Sequence, residues 1–60
     1  MHFKGVVNAV PSSTTGYEVG DVVLVAGATG EAAKDNGKEF VLVDVGESGS
    51  PDLKWELIGD

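Results

Sequence analysis

Ten carboxylates and one histidine are the side chains of this 60-residue chain from which acid-base chemistry near neutral pH could be built. General acid and base catalysis needs two titratable groups held together in a pocket. The carboxylates fall in predicted loops or on the outward faces of predicted strands, and His2 stands near the start of the chain with no partner at a recognisable spacing. The residues therefore predict no catalytic set, and we expect the chain not to be an enzyme.

Oxygen donors that could bind a cation occur close together in two loops, Asp35-Asn36 and Glu47 to Ser50, with Asp52 beyond. Neither group has the alternating spacing of a twelve-residue calcium loop. There are no cysteines to complete a zinc site with His2, and no glycine-rich motif predicts a phosphate site. We therefore expect no metal ion and no cofactor.

Four aromatic side chains, Phe3, Tyr17, Phe40 and Trp55, are the remaining candidates for ligand contact. An exposed ring could form a platform for a sugar, whereas a buried ring would close a core that has few other large side chains. Trp55 stands between two leucines on one face of a predicted strand, which favours the core, and Tyr17 fits either use. The candidate carbohydrate-binding residues are Tyr17 and Trp55.

The net charge of −6, from ten acidic residues against four lysines, limits the class of partner. An acidic chain is repelled by phosphate backbones and by anionic lipid surfaces. No apolar run approaches the roughly 20 residues that a membrane helix needs. We expect neither nucleic-acid binding nor membrane insertion.

Nine glycines and two prolines divide the chain into segments too short for regular helices. The apolar runs between them predict a single all-β domain over residues 1–60, a small three- to four-stranded antiparallel sheet with long loops. The predicted strands are Phe3–Asn8, Asp21–Ala26, Glu39–Val45 and Leu53–Ile58. The predicted core residues are Phe3, Val7, Val23, Val25, Phe40, Leu42, Trp55 and Leu57.

The segment from Gly27 to Gly37 is longer than a tight hairpin requires. It predicts an exposed hairpin loop, within which Glu31 to Lys34 could form one helical turn. Asn36-Gly37 accepts positive φ and is typical of a turn that closes a hairpin onto the preceding strand.

A chain of 60 residues hides only about 60 % of the surface that its unfolded form exposes. With no disulfide available, packing against a partner is the expected supplement. The run Val22 to Val25 is apolar on both faces, and one small sheet can cover only one of them with its own residues. We therefore predict an oligomer contact at Val22 and Leu24.

The segments FKGVVNAVPSS, YEVGDVVLVA, NGKEFVLVDV and KWELIGD follow one another in an order that resembles a short module of bacteriophage tail-fibre, head-fibre and baseplate proteins. The resemblance covers nearly the whole chain except the loop from Gly27 to Asp35. It implies a structural module of a virion, which is an extracellular particle, within a longer fibre chain that assembles as a homotrimer. The implied role is a spacer, a trimer contact or a surface-binding element, with other virion proteins or a host-surface glycan as partners.

In matching positions of that module, Gly20-Asp21 would be the turn that begins the second strand, and Trp55 the residue that closes the core.

The scaffold is also similar to the small chitin-binding modules of secreted glycosidases. The shared order comprises Tyr17, Gly20, Asp21, Val23, Phe40, Trp55 and Gly59. Those modules carry an exposed aromatic pair shortly after the third-strand aromatic, and this chain has Asp44 and Val45 there. A carbohydrate-binding module is therefore the alternative function, because a shared fold does not by itself carry the binding site.

Overall fold

A computed structural model describes all 60 residues and contains one four-stranded sheet in the order β1-β2-β3-β4. The strands are β1 His2–Val7, β2 Asp21–Val25, β3 Glu39–Asp44 and β4 Leu53–Gly59, and a 3₁₀ helix spans Gly30–Asp35. The predicted all-β class is confirmed, and each predicted strand overlaps an observed one. No helix is long and apolar enough to cross a membrane.

The sheet is mixed, so the predicted antiparallel pairing holds for two of its three strand pairs and not for the third. β1 runs parallel to β2, while β2–β3 and β3–β4 are antiparallel. Parallel neighbours need a connection of about a dozen residues or more, and residues 8–20 form this crossover. The segment Pro11 to Gly16 is part of that longer path.

A bulge in β1 changes which of its side chains face the core. Phe3 pairs with Val22 and Gly5 pairs with Val23, so the residue between them has no partner. Gly5 has a φ of +123°, a conformation that glycine adopts without steric cost. Phe3 and Val7, which simple alternation puts on one face, therefore lie on opposite faces. Phe3 is 57 % exposed, and its predicted place in the core is wrong.

One side of the sheet, here called the covered face, carries the core. Its members are Val23, Val25, Phe40, Leu42 and Trp55. The side chains of Val23, Val25 and Leu42 are fully buried, as predicted. Val7, Phe40 and Trp55 are half-buried, and Leu57, predicted as core, is 49 % exposed because β4 is an edge strand.

The opposite side, here called the open face, has an apolar half on β1 and β2 and a charged half on β3 and β4. The apolar half consists of Phe3, Val6, Val22 and Leu24, and the charged half includes Glu39, Lys54 and Glu56 around Val41. Val22 and Val41 at its centre are buried within the single chain. The chain therefore covers part of the second face of β2 itself, contrary to the expectation that only one face could be covered by its own residues.

Candidate functional site

Tyr17 and Trp55 are brought into contact although they lie far apart in the chain. Their ring centroids lie 5.0 Å apart with an interplanar angle of 86°, an edge-to-face arrangement. Trp55 pairs with Leu42 on the covered face, so Tyr17 is where the crossover reaches that face. Such pairs add about 0.5–1.5 kcal/mol beyond their buried area. The contact therefore fastens the crossover to β4.

The same geometry limits what this aromatic pair can offer to a sugar. Both rings are half-buried, and two perpendicular rings do not form one flat platform. The indole Nε1 of Trp55 is buried and has no hydrogen-bond partner, so it is not directed at an external hydroxyl group. The two predicted carbohydrate-binding residues thus share one location, where their rings pack against each other.

Asp21 shows why the Gly-Asp pair stands at the start of β2. Its carboxylate is buried and accepts a hydrogen bond from the Glu18 backbone N–H at 2.8 Å, and its own N–H donates to the Glu18 carbonyl at 3.0 Å. Gly20 has a φ of +97°, which turns the chain into the strand. These residues build the turn that begins β2.

Asp44 organises the turn between β3 and β4. One carboxylate oxygen accepts hydrogen bonds from the backbone N–H groups of Gly46 at 2.9 Å and Asp52 at 3.0 Å. The bond from Asp52, followed by that from Gly46, lowers the pKa of the Asp44 carboxyl below its ordinary value, because both stabilise the ionised form. This carboxylate is engaged in holding a turn.

Asn36 closes the long loop between β2 and β3. Its side-chain amide donates to the Ala28 carbonyl at 3.0 Å and accepts from the Ala28 N–H at 2.8 Å. The Gly37 N–H donates to the Val25 carbonyl at 2.7 Å, which confirms that Asn36-Gly37 closes the hairpin. The loop is therefore an ordered element that contains the 3₁₀ helix.

A shallow depression of about 410 Å³ lies between the start of β1 and the turn before β2, lined in part by His2, Lys4, Glu18 and Asp21. Asp21 is already bonded within the turn. Across the chain, no group of three or more histidine, cysteine, aspartate or glutamate side chains is placed to hold a metal ion. The depression offers a mixed polar surface without a catalytic pair at hydrogen-bonding distance.

The predicted oligomer-contact residues, Val22 and Leu24, both lie on the open face. Val22 is buried and Leu24 is half-buried, so neither is the most accessible group there. Phe3 and Val6, at 57 % and 61 % exposure, are the side chains that a partner would meet first. Sequence reasoning missed them because the β1 bulge interrupts the alternation of faces.

Comparisons of the chain with protein-family models, curated proteins and solved structures find no significant match.

Proposed function

We propose that this chain is a non-enzymatic structural module of a bacteriophage virion fibre, whose open face packs against other copies of the chain. The order of its segments, which resembles phage fibre modules, supports the virion assignment. The observation that carries the contact is the exposure of Phe3 and Val6 beside Leu24 on one face of the sheet.

The size of the core supports a role that includes a partner. Only seven of the 60 residues are buried, so the chain has little apolar burial to offset the entropy lost on folding. Covering Phe3, Val6 and Leu24 would add apolar burial at about 25 cal/mol per Å². The surface that contacts another copy would then also supply the apolar burial that the small core lacks.

The distribution of charge on the open face favours another copy of the chain as the occupant. The apolar half on β1 and β2 suits a matching apolar half, while the other half carries charges of both signs, Glu39, Lys54 and Glu56. Copies related by a threefold axis, as the phage resemblance implies, could bury their apolar halves and leave these charges in water.

The test is the mass of the folded chain in solution, measured by light scattering after gel filtration over a range of concentrations. The open-face contact by itself is expected to give a mass three times 6.2 kDa. The double variant Phe3→Ser and Val6→Thr should shift the mass toward that of the monomer. Val19→Thr is the matched control, because Val19 is 59 % exposed but lies outside the sheet. A folded wild-type monomer at every concentration contradicts the proposal.

A carbohydrate-binding module is the second candidate, supported by the shared location of Tyr17 and Trp55, whose rings are both partly exposed. Because Trp55 is the only tryptophan, its fluorescence reports on this location alone. Chitin fragments and bacterial-surface polysaccharides should then change its emission and release heat, and Tyr17→Ala should abolish both signals. A titration without heat or spectral change removes this candidate.

A further inference from the structure

β4 is an edge strand whose outer side has no partner in the chain. It pairs with β3 on one side only. None of the hydrogen bonds formed outside the strand ladders reaches residues 53–59. A row of free N–H and C=O groups of this kind is a template for pairing with another strand.

The hydrogen bonds around β3 identify which groups of β4 point outward. The Val45 N–H donates to the Asp52 carbonyl, and the Leu42 carbonyl accepts from Gly20 on the β2 side. Val45 and Asp52 thus form a bonded pair, and bonded and non-bonded pairs alternate along an antiparallel ladder. Leu42 and Trp55, three pairs further along, form a non-bonded pair, so Trp55 directs its backbone groups away from β3. The outward-directed residues are Leu53, Trp55 and Leu57.

We propose that β4 pairs antiparallel with β4 of a second copy about a twofold axis at Trp55, joining two four-stranded sheets into one. In this register the two Trp55 residues exchange backbone hydrogen bonds, and Leu53 does so with Leu57 of the second copy. Lys54 then stands directly opposite Glu56 of the second copy, on the open-face side, and the twofold axis repeats this ion pair.

The charges select this register over its neighbours. Shifting one strand by two residues in either direction also keeps the outward backbone groups paired. One shift places Lys54 opposite Lys54 of the second copy, and the other places Glu56 opposite Glu56. Opposite charges across a strand pair are stabilising and like charges are destabilising. The edge is therefore complementary to itself in the register centred on Trp55.

The apolar residues of the edge and the shape of the strand agree with this pairing. Leu57 is 49 % exposed and Leu53 is half-buried on the same side, and pairing sets each against the other across the twofold axis. The bulge in β4 lies beyond Leu57, which leaves residues 53–57 regular. The opposite edge, β1, is interrupted by its bulge at Gly5, a device that discourages edge pairing.

This inference goes beyond the proposed function and does not depend on it, because the β4 edge uses none of the apolar residues of the open face. A virion module could use both surfaces, and either could fail without the other.

Disulfide trapping tests the register directly, because the chain contains no cysteine. Opposed residues in a non-hydrogen-bonded pair have Cα atoms about 4.5 Å apart, which a disulfide can span. Lys54→Cys and Glu56→Cys chains should therefore form a mixed disulfide when oxidised together, in clear excess over either homodimer. If the mixed disulfide and the two homodimeric disulfides form in statistical proportions, the proposal is overturned. This result is independent of the oligomer mass that association through the open face produces.

Charge reversal provides a second measurement on surface residues that do not contribute to the core. Lys54→Glu and Glu56→Lys should each weaken association by about tenfold, since both symmetry-related pairs become repulsive. The double variant Lys54→Glu with Glu56→Lys should restore wild-type association, because the swapped pair is again complementary. Sedimentation provides the association constants and circular dichroism the fold. A wild-type chain that shows no β4-dependent association at millimolar concentration, or a double variant as weak as the single ones, overturns the proposal.

Discussion

The two faces of the sheet both carry apolar side chains, but these are shielded from solvent to different extents. Val23, Val25 and Leu42 on the covered face are fully buried, whereas Phe3 and Val6 on the open face are more than half exposed. The crossover of residues 8–20 accounts for the difference, since it reaches the covered face at Tyr17. The location of the core thus depends on the path of one connection as well as on hydrophobicity.

The largest expected effect lies at the centre of the covered face. Leu42→Ala should lower the free energy of unfolding by about 2–5 kcal/mol, because it leaves a cavity at a fully buried site. At concentrations too low for copies of the chain to associate, Val6→Ala on the open face should change it by about 0.5 kcal/mol or less, as is usual for surface substitutions. Urea denaturation of both variants measures this difference. Equal losses would show that the two faces are equally covered in solution.

The next largest effect is expected at the β1 bulge, which places Phe3 on the open face. Gly5→Ala should cost about 1–3 kcal/mol, because alanine must adopt the φ of +123° at this position. No atom lies near the added methyl group, so the cost is conformational rather than a steric clash. Thermal unfolding measures it. A neutral substitution would indicate that β1 can be paired without the bulge.

The contact between the crossover and the sheet should have an intermediate to small effect. Tyr17→Ala removes the edge-to-face pair with Trp55 and should cost about 1–2 kcal/mol, together with a red shift of the tryptophan emission. Tyr17→Phe keeps the ring and is the control. If the emission of Tyr17→Ala stayed unchanged, the crossover would have to shield Trp55 through other residues.

The smallest expected effect lies outside both faces, in the turn that Asp44 holds. The lowered pKa of folded Asp44 means that its contribution is fully present above the unfolded value of about 3.9 and is lost as pH falls through the lower folded pKa. The stability difference between wild type and Asp44→Asn should therefore be largest above about pH 4 and shrink below it. Melting curves from pH 2 to 7 measure this, and a constant difference would contradict it.

Local patterns predicted much of this fold. All four strands occur where glycine, proline and apolar runs place them, and Leu53, Trp55 and Leu57 alternate with Lys54 and Glu56 in β4 as expected. The parallel pairing of β1 escaped prediction because strand direction depends on contacts between distant segments. The exposure of Phe3 escaped it because a bulge shifts the two-residue period, and the glycine at position 5 was the only local signal of that bulge.

The candidate surfaces divide in the same way. Tyr17, Trp55, Val22 and Leu24 could be named from residue type, but their contacts and exposure follow from the topology. The outer edge of β4 could not be identified at all before the strand order and the hydrogen-bond phase were known.

The sequence alone determined where the chain extends and turns, because backbone preferences and the alternation of side chains act over a few residues. It also determined the acidic net charge. Only the tertiary structure decided which face became the core and which edge stayed open. Those outcomes depend on the course of the crossover and on strand pairing between residues far apart in the chain.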